Sequence, residues 1–324
     1  MKCVVFTGAG GNEVVRLDER PDPAAGTQDV LLRVRFAGLN PADTAQRAGR
    51  YPAPPGSPHD IPGLEVAGTV EACGQGVTAW QPGDRVFGLV GGGGLADLVP
   101  VHERCVARVP DVLDERGAAA VPEAFMTAHD AVSTQAALRP GEVLLVHGAA
   151  GGVGSAACQI GLSMGARVLG TVRSERAADA VAELGGDPVD DEAFAATVLE
   201  RTEGRGADVV LELVGAPHFP GNLEALAAKG RIVIVGVGAG QEISLPLLTM
   251  MGKRATLRGT VLRARPLEEK GAVVRAFERE VVPALASGRM RPLVDSVFPA
   301  EEIHGAFDRL EGSGKVGKVL IEFS

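Results

Sequence analysis

The sequence predicts an α/β protein in which a small, partly open β-barrel precedes a doubly wound parallel sheet. The first observation is a strand, a glycine turn, a helix and a second strand between Gly141 and Arg173, within a unit of about 30 residues. The second is the alternation of buried strands and helices beyond this unit, which is typical of a parallel sheet. The third is a series of short strand patterns before residue 122, separated by turn residues every 8 to 12 positions or so.

Composition indicates a soluble globular protein, and its 324 residues allow two domains of ordinary size. The formal net charge of −9 argues against nucleic acid or an anionic membrane as the main partner. No apolar run approaches the ~18 residues that a membrane helix needs. The first residues resemble a strand rather than a signal peptide, so we expect a cytoplasmic location.

Four scattered cysteines form no Cys-x-x-Cys pair, which excludes the common structural zinc patterns and gives no disulfide framework. No two of the six histidines stand at ligand spacing from each other. The sequence also lacks the Gly-x-Ser-x-Gly elbow of a serine hydrolase. We therefore expect no metal site, and hydride transfer by a cofactor is the chemistry that remains.

The barrel region contains strand patterns at residues 30–36, 65–72, 85–87 and 95–101, and residues 40–58 resemble a loop. Residues 115–138 are alanine-rich and helical in pattern. The rest of the chain predicts strands at 143–147, 167–172, 207–214, 231–237, 256–262 and 317–323. It predicts helices at 153–164, 175–184, 193–201, 223–228, 268–287 and 303–311.

The glycine turn carries the clearest functional pattern. Ala149-x-Gly151-x-x-Gly154 matches the dinucleotide fingerprint, with alanine in the place of the usual first glycine. Small residues let a pyrophosphate approach the amide groups at a helix start. The alternative is a purely structural glycine turn. We predict that the cofactor contacts this turn at Gly148, Ala149, Ala150, Gly151, Gly152 and Val153.

The segments GAAGGVG, GLNPADTAQRAGRYPAPPG, IPGLEVAGTVEACGQGV, QPGDRVFGL and GKVGKVLIEF together resemble the zinc-free quinone oxidoreductases of the medium-chain dehydrogenase/reductase superfamily. The resemblance covers essentially the whole chain and is strongest to the p53-inducible quinone oxidoreductase subgroup, partly through residues 259–263. It implies a GroES-like substrate domain, residues 1–122 with residues 264–324 returning to it. A Rossmann domain, residues 123–263, would bind the cofactor. The resemblance also implies a homodimer and an active site in the cleft between the domains.

The resemblance also assigns roles to individual residues. Asn40 stands where zinc-dependent alcohol dehydrogenases have a ligand cysteine, and Gly63-Leu64-Glu65 replaces their Gly-His-Glu. By resemblance Asn40, Asp43 and Tyr51 line the substrate side, although packing against prolines is the alternative for Tyr51. Thr127 matches the position that approaches the nicotinamide amide, with a helix-start cap as its alternative. Lys318 matches a lysine near the cofactor, with a solvated lysine at a strand edge as its alternative.

NADPH is the predicted cofactor because residues 168–174 lack the acid that holds the ribose 2′-hydroxyl in NAD-selective proteins. Arg173, Ser174 and Arg176 are predicted to bind a 2′-phosphate, and solvated charges at a helix start are the alternative. Gly215 follows the strand at 207–214, Gly236 and Val237 end the strand at 231–237, and all three are further predicted cofactor contacts. The predicted reaction is hydride transfer from NADPH to a quinone or another conjugated carbonyl. Two alternatives stay open: an enoyl reductase acting on a thioester or enone, and a low-turnover NADPH-binding partner protein.

Overall fold

The computed structural model describes residues 1–323. The chain divides into two compact units: unit 1 is Met1–Met126 with the described part of Leu262–Ser324, and unit 2 is Thr127–Val261. No helix of the described residues is both long and apolar enough to cross a bilayer.

The strands are β1 (Lys2–Phe6), β2 (Val15–Glu19), β3 (Asp29–Gly38), β4 (Glu65–Cys73), β5 (Arg85–Leu89), β6 (Leu98–His102), β7 (Val106–Arg108), β8 (Val143–Val146), β9 (Arg167–Val172), β10 (Asp187–Asp190), β11 (Ala207–Glu212), β12 (Leu226–Ile234), β13 (Thr256–Gly259), β14 (Val294–Pro299) and β15 (Lys318–Glu322). The α-helices are α1 (Pro41–Arg47), α2 (Glu115–Ala119), α3 (Pro122–His129), α4 (Gly152–Ser163), α5 (Glu175–Glu183), α6 (Phe194–Arg201), α7 (Phe219–Ala225), α8 (Leu247–Lys253), α9 (Leu267–Glu280), α10 (Val282–Ala286) and α11 (Ile303–Glu311).

Unit 2 contains the parallel sheet that the sequence predicts. Its six strands are ordered β10-β9-β8-β11-β12-β13, and every neighbouring pair is parallel. The short strand β8 is buried at all four positions because helices cover both faces of a doubly wound sheet. The carboxyl ends of β8, β9 and β11 consequently lie side by side, which is where ligands bind in this architecture.

Unit 1 contains a mixed sheet ordered β14-β15-β3-β4-β5-β7, with β6 pairing with β3 and a separate β1-β2 ribbon. β15 runs antiparallel to β3 and parallel to β14. A single apolar cluster joins the early strands to the late ones, for example Val34 and Leu39 with Phe307 and Ile321. The last segment of the chain is therefore an integral part of the unit 1 core.

Four local predictions are corrected by the structure. Residues 40–58 contain α1, which begins at Pro41 after the N-cap Asn40. The predicted helix 268–287 is interrupted, because Pro283 at the start of α10 has no amide hydrogen with which to continue α9. The helix predicted at 223–228 lies earlier, and its last three residues belong to β12. The sequence analysis also missed β10 and β14.

Candidate functional site

The glycine turn joins the sheet of unit 2 to α4. Gly151 is the N-cap of α4, so no side chain occupies the helix start. Gly148 has a φ of 57°, which favours glycine. A Cβ on Gly154 would lie 2.2 Å from the Gly148 carbonyl oxygen, so only glycine lets the helix approach the turn this closely. The arrangement fits a pyrophosphate because the first amide groups of a helix attract anions.

The neighbouring strand β9 holds this turn in place and accommodates its unusual alanine. Thr171 accepts hydrogen bonds from Gly148 N at its hydroxyl (3.1 Å) and from Ala149 N at its carbonyl (3.1 Å). Gly170 leaves room for the alanine, since a Cβ there would lie 2.5 Å from the Ala149 Cβ. The departure from the usual fingerprint is therefore compensated by a glycine on the next strand.

Exposed cationic groups follow β9. Ser174 is the N-cap of α5, and its hydroxyl oxygen accepts a hydrogen bond from Ala177 N at 3.3 Å. Arg173 and Arg176 lie on either side of this cap and are exposed. No acid lies between the start of β9 and Ser174. The start of α5 thus presents two guanidinium groups and a hydroxyl to solvent.

The segments after β11 and β12 approach each other closely. Gly215 has a φ of 121°, and a Cβ on it would lie 2.5 Å from the Gly240 carbonyl oxygen. A Cβ on Gly236 would lie 2.3 Å from the Leu213 carbonyl oxygen. Val237 is 38% exposed. The three residues predicted to contact the cofactor therefore lie where the two backbone segments meet, and the side chain of Val237 is accessible there.

Behind the turn, unit 2 buries a polar cluster that the sequence analysis missed. His147 Nε2 bonds to Asn222 Oδ1 at 2.6 Å, and Asn222 Nδ2 donates to Glu212 Oε2 at 2.6 Å. Glu212 Oε1 accepts hydrogen bonds from Val214 N and Gly215 N. The cluster therefore anchors the loop after β11.

Two histidines that are distant in sequence meet in this cluster, contrary to the sequence-based expectation of isolated histidines. The ring centroids of His147 and His218 are 4.3 Å apart. Asp191 lies 3.4 Å from His218 Nε2; this contact raises the pKa of His218 and lowers that of Asp191. Burial lowers the pKa of His147.

Ligand atoms of His147, Glu212 and His218 lie within 4.8 Å of one another, as a metal site would require. The amide of Asn222 already bridges His147 and Glu212, and Glu212 Oε1 is bound by two backbone amide groups. A metal ion would have to displace these hydrogen bonds. The donor set is therefore better suited to holding the loop than to binding a metal.

Unit 1 has its own buried polar network around Asn40. Lys318 Nζ lies 2.6 Å from Glu65 Oε1, donates to Asn40 Oδ1 at 2.5 Å and donates to Leu39 O at 2.7 Å. Asn40 Nδ2 donates to the same Glu65 oxygen at 2.9 Å. Lys318 is 5% exposed and Glu65 0% exposed, so the alternative of a solvated lysine is wrong. Asn40, Glu65 and Lys318 therefore bind one another as donors and acceptors within the buried core.

Asp43 is completely buried beside this network. Its carboxylate accepts hydrogen bonds from Asn40 N at 2.8 Å and Gly63 N at 2.9 Å. Burial raises its pKa to about 6, although these two donors and the nearby cations Lys318 and Arg263 oppose the increase. With 0% of its surface exposed, Asp43 positions the start of α1 and the turn at Gly63 rather than contacting a substrate directly.

Tyr51 follows α1 and is held by a residue that the sequence analysis did not select. The Arg263 guanidinium lies over the Tyr51 ring, 5.2 Å from its centroid, and Arg263 Nη1 donates to the Tyr51 carbonyl at 3.2 Å. Burial raises the pKa of the Tyr51 phenol, and the charge of Arg263 opposes that increase. Thr127, by contrast, lies in the last turn of α3 and is 7% exposed, so it does not cap a helix start.

The fold and these sites define a class of protein. Residues 26–111 match the alcohol dehydrogenase GroES-like domain, and residues 152–279 match the family model described as zinc-binding dehydrogenase. Together with the parallel sheet and its glycine turn, they define the medium-chain dehydrogenase/reductases, which are nicotinamide-dependent oxidoreductases. The quinone oxidoreductase of Lama guanicoe is 34% identical over 327 residues, covering 99% of this chain and 97% of that protein. The chain belongs to the quinone oxidoreductase family within this superfamily.

Solved structures agree with this assignment. A mycobacterial protein complexed with NADPH has a TM-score of 0.89 and 29% identity, covering 99% of this chain and 100% of its own. The CurK enoyl reductase has a TM-score of 0.85 and 28% identity, covering 100% and 99%. The p53-inducible subgroup stays a prediction.

Proposed function

We propose that this chain is an NADPH-dependent, zinc-free oxidoreductase that transfers hydride to a quinone or another conjugated carbonyl. The observation that carries the proposal is the chemistry at the positions where zinc-dependent relatives hold their metal. Asn40 and Leu64 offer an amide and an alkyl group there, and the Asn40 amide is already bound by Glu65 and Lys318. Neither side chain supplies the thiolate or imidazole that zinc prefers.

In this proposal the protein contributes binding and orientation. The nicotinamide supplies the hydride, and the turn at residues 148–154 binds the pyrophosphate. Tyr51 orients the acceptor, because its hydroxyl makes no hydrogen bond within residues 1–323 and its ring is only half-buried. A hydrogen bond from the phenol stabilises negative charge as it develops on the acceptor oxygen. Asn40 and Asp43 hold α1, which leads directly to Tyr51.

NADPH is the proposed cofactor because Arg173, Ser174 and Arg176 flank the start of α5 and residues 168–174 contain no acid that would select NAD. A guanidinium group binds a phosphate through two parallel hydrogen bonds. The related mycobacterial protein that binds NADPH supports the same choice. We therefore expect the Arg173→Ala/Arg176→Ala double variant to lose NADPH affinity by roughly tenfold to a hundredfold while NADH affinity changes little.

Cofactor fluorescence titration tests this preference, with the exposed Arg139→Ala as the matched control in the same unit. Equal wild-type affinities for NADH and NADPH, unchanged in the double variant, would rule out the assignment of these arginines to the 2′-phosphate.

A homodimer is also proposed, formed through the outer edge of the unit 2 sheet. β13 is the last strand of that sheet, and the preceding α8 exposes Leu247, Leu248 and Met251 at 65%, 83% and 70%. Unpaired strand edges and contiguous apolar side chains are typical of interfaces. Within residues 1–323 no strand pairs with the outer edge of β13, and the three apolar side chains of α8 face solvent.

Steady-state oxidation of NADPH with a panel of quinones, enones and enoyl thioesters tests the reaction. The proposal predicts turnover with quinones or simple enones in the presence of a chelator. Faster turnover of the thioesters would favour the enoyl reductase, a candidate supported by the similarity to the CurK enoyl reductase. Tight NADPH binding with no turnover of any acceptor would identify the low-turnover partner protein instead.

A further inference from the structure

Arg263 is a buried cation without a carboxylate partner. It is 2% exposed, and it forms no ion pair within residues 1–323. Its guanidinium donates instead to three neutral oxygens: Nε to Gly91 O at 2.6 Å, Nη1 to Tyr51 O at 3.2 Å, and Nη2 to Gln46 Oε1. Removing a charge from water without a charged partner destabilises the folded state, so an apolar residue here would serve stability better.

The three acceptors belong to three separate segments of unit 1. Gln46 lies in α1, Tyr51 in the loop after it, and Gly91 two residues after β5. Arg263 therefore joins α1, the segment after β5 and the start of the proline-rich loop, residues 51–58. It holds Tyr51 at two points, since it binds the backbone carbonyl and also lies over the ring face.

We propose that Arg263 is a positioning residue for Tyr51: it fixes the ring through the guanidinium clamp and makes the phenol hydroxyl a stronger hydrogen-bond donor to the acceptor oxygen. This inference rests on the proposed function in one respect, that the Tyr51 hydroxyl meets the acceptor. A cation over the ring stabilises electron density that shifts onto the phenol oxygen as it donates. The catalytic contact belongs to Tyr51, and Arg263 acts through it.

The electrostatic surroundings of Tyr51 agree with this role. Burial raises the pKa of the phenol, the Arg263 charge lowers it, and the Glu123 carboxylate raises it. The Asp43 and Glu123 carboxylates both favour the charged form of the Arg263 guanidinium. Arg263 is thus the charged neighbour that opposes the effect of burial on the Tyr51 hydroxyl.

The composition of the chain makes this effect directly measurable. Tyr51 is the only tyrosine. The ultraviolet absorbance of its phenolate therefore reports one side chain, and replacing tyrosine by difluorotyrosine during expression labels this position alone. The fluorinated phenol ionises nearer neutral pH, where the protein is folded. The titration needs no substrate, so it remains informative even if the quinone activity is absent.

Arg263→Met removes the charge and retains most of the volume. We expect it to raise the pKa of residue 51 by about one to two units, as a unit charge about 5 Å away would at an intermediate dielectric constant. Arg263→Lys keeps the charge without the planar fork, so the pKa should stay near that of the wild type. Gln46→Met is the matched control, because it removes one acceptor of the clamp and no charge. An unchanged pKa in Arg263→Met would overturn the inference.

Kinetics provide the second test through a double-mutant cycle. Arg263→Met should lower kcat by roughly tenfold with natural tyrosine and by much less in the Tyr51→Phe background, because the arginine acts through the hydroxyl. NADPH affinity should be the same in all four proteins. Additive losses of kcat in the two backgrounds would contradict the positioning role. If Arg263→Met does not fold, the same cycle with Arg263→Lys tests the clamp: a loss that is independent of Tyr51 refutes it.

Discussion

Removing the ammonium group of Lys318 should destabilise unit 1 far more than removing an exposed cation from the same sheet. The Lys318→Met variant leaves the Glu65 carboxylate buried without its cation and deprives Leu39 O and Asn40 Oδ1 of a donor. Removing one partner of a buried pair typically costs about 3–5 kcal/mol. For a unit of this size that loss corresponds to a decrease of roughly 1–2 M in the urea midpoint.

The fluorescence of Trp80 is the appropriate signal, because it is the only tryptophan and lies in unit 1. Arg33→Met is the matched control: Arg33 Nε lies 2.6 Å from Glu71 on β4, but both side chains are about half exposed, at 51% and 41%. An exposed pair of this kind contributes up to about 1 kcal/mol. Glu65→Gln combined with Lys318→Met should recover part of the loss, since the buried carboxylate that lost its cation is then replaced by a neutral amide. A Lys318→Met midpoint no lower than that of Arg33→Met would refute this account of the network.

Four further predictions follow from other features. The pKa of Asp43 is raised to about 6 in the folded state, so the contribution of this carboxyl to stability is complete below its unfolded pKa near 4 and is lost as the pH rises through 6. In urea titrations the free energy of unfolding of Asp43→Asn, measured relative to wild type, should therefore increase by about 3 kcal/mol from pH 4 to pH 7. A Cβ at Gly154 collides with the glycine turn, so Gly154→Ala should weaken cofactor binding at least ~tenfold in fluorescence titrations, whereas Gly252→Ala, which enters open space, should leave it unchanged. Leu248→Asp should shift light scattering from dimer to monomer without loss of helix content, and a wild-type protein that is already monomeric at micromolar concentration would contradict the proposed interface. Activity should survive prolonged dialysis against a chelator, and loss of activity together with stoichiometric zinc in the untreated protein would disprove a metal-independent reaction.

The parallel sheet could be predicted because its strands and helices have apolar patterns that are visible locally. β9 and α11 have the bounds expected from the sequence. α1 could not be recognised in this way, since its seven residues bury the polar side chains Asp43, Gln46 and Arg47 rather than an apolar face. Hydrophobic periodicity carries no information about a helix that is held by hydrogen bonds to buried polar groups.

The site shows the same limit. The glycine turn is a local pattern, so it could be identified from sequence. The burial of Lys318 was missed because β14 was missed: without that strand β15 is at an edge, and with it β15 lies inside the sheet. The cluster of His147, Glu212 and His218 and the Arg263 clamp join segments that are far apart in sequence. Only the tertiary fold brings such residues together.

The position of Lys318 also has a consequence for synthesis of the protein. Leu39 and Lys318 are 279 residues apart in the chain, yet they share a buried hydrogen bond. The ribosome completes all of unit 2 before β15 emerges. The parallel sheet of unit 2 can therefore form while Glu65 still lacks its partner Lys318. We expect nascent chains that stop before β15 to contain a protease-resistant unit 2 and a protease-sensitive unit 1. Folding of unit 1 would then depend on release of the last strand from the ribosomal tunnel.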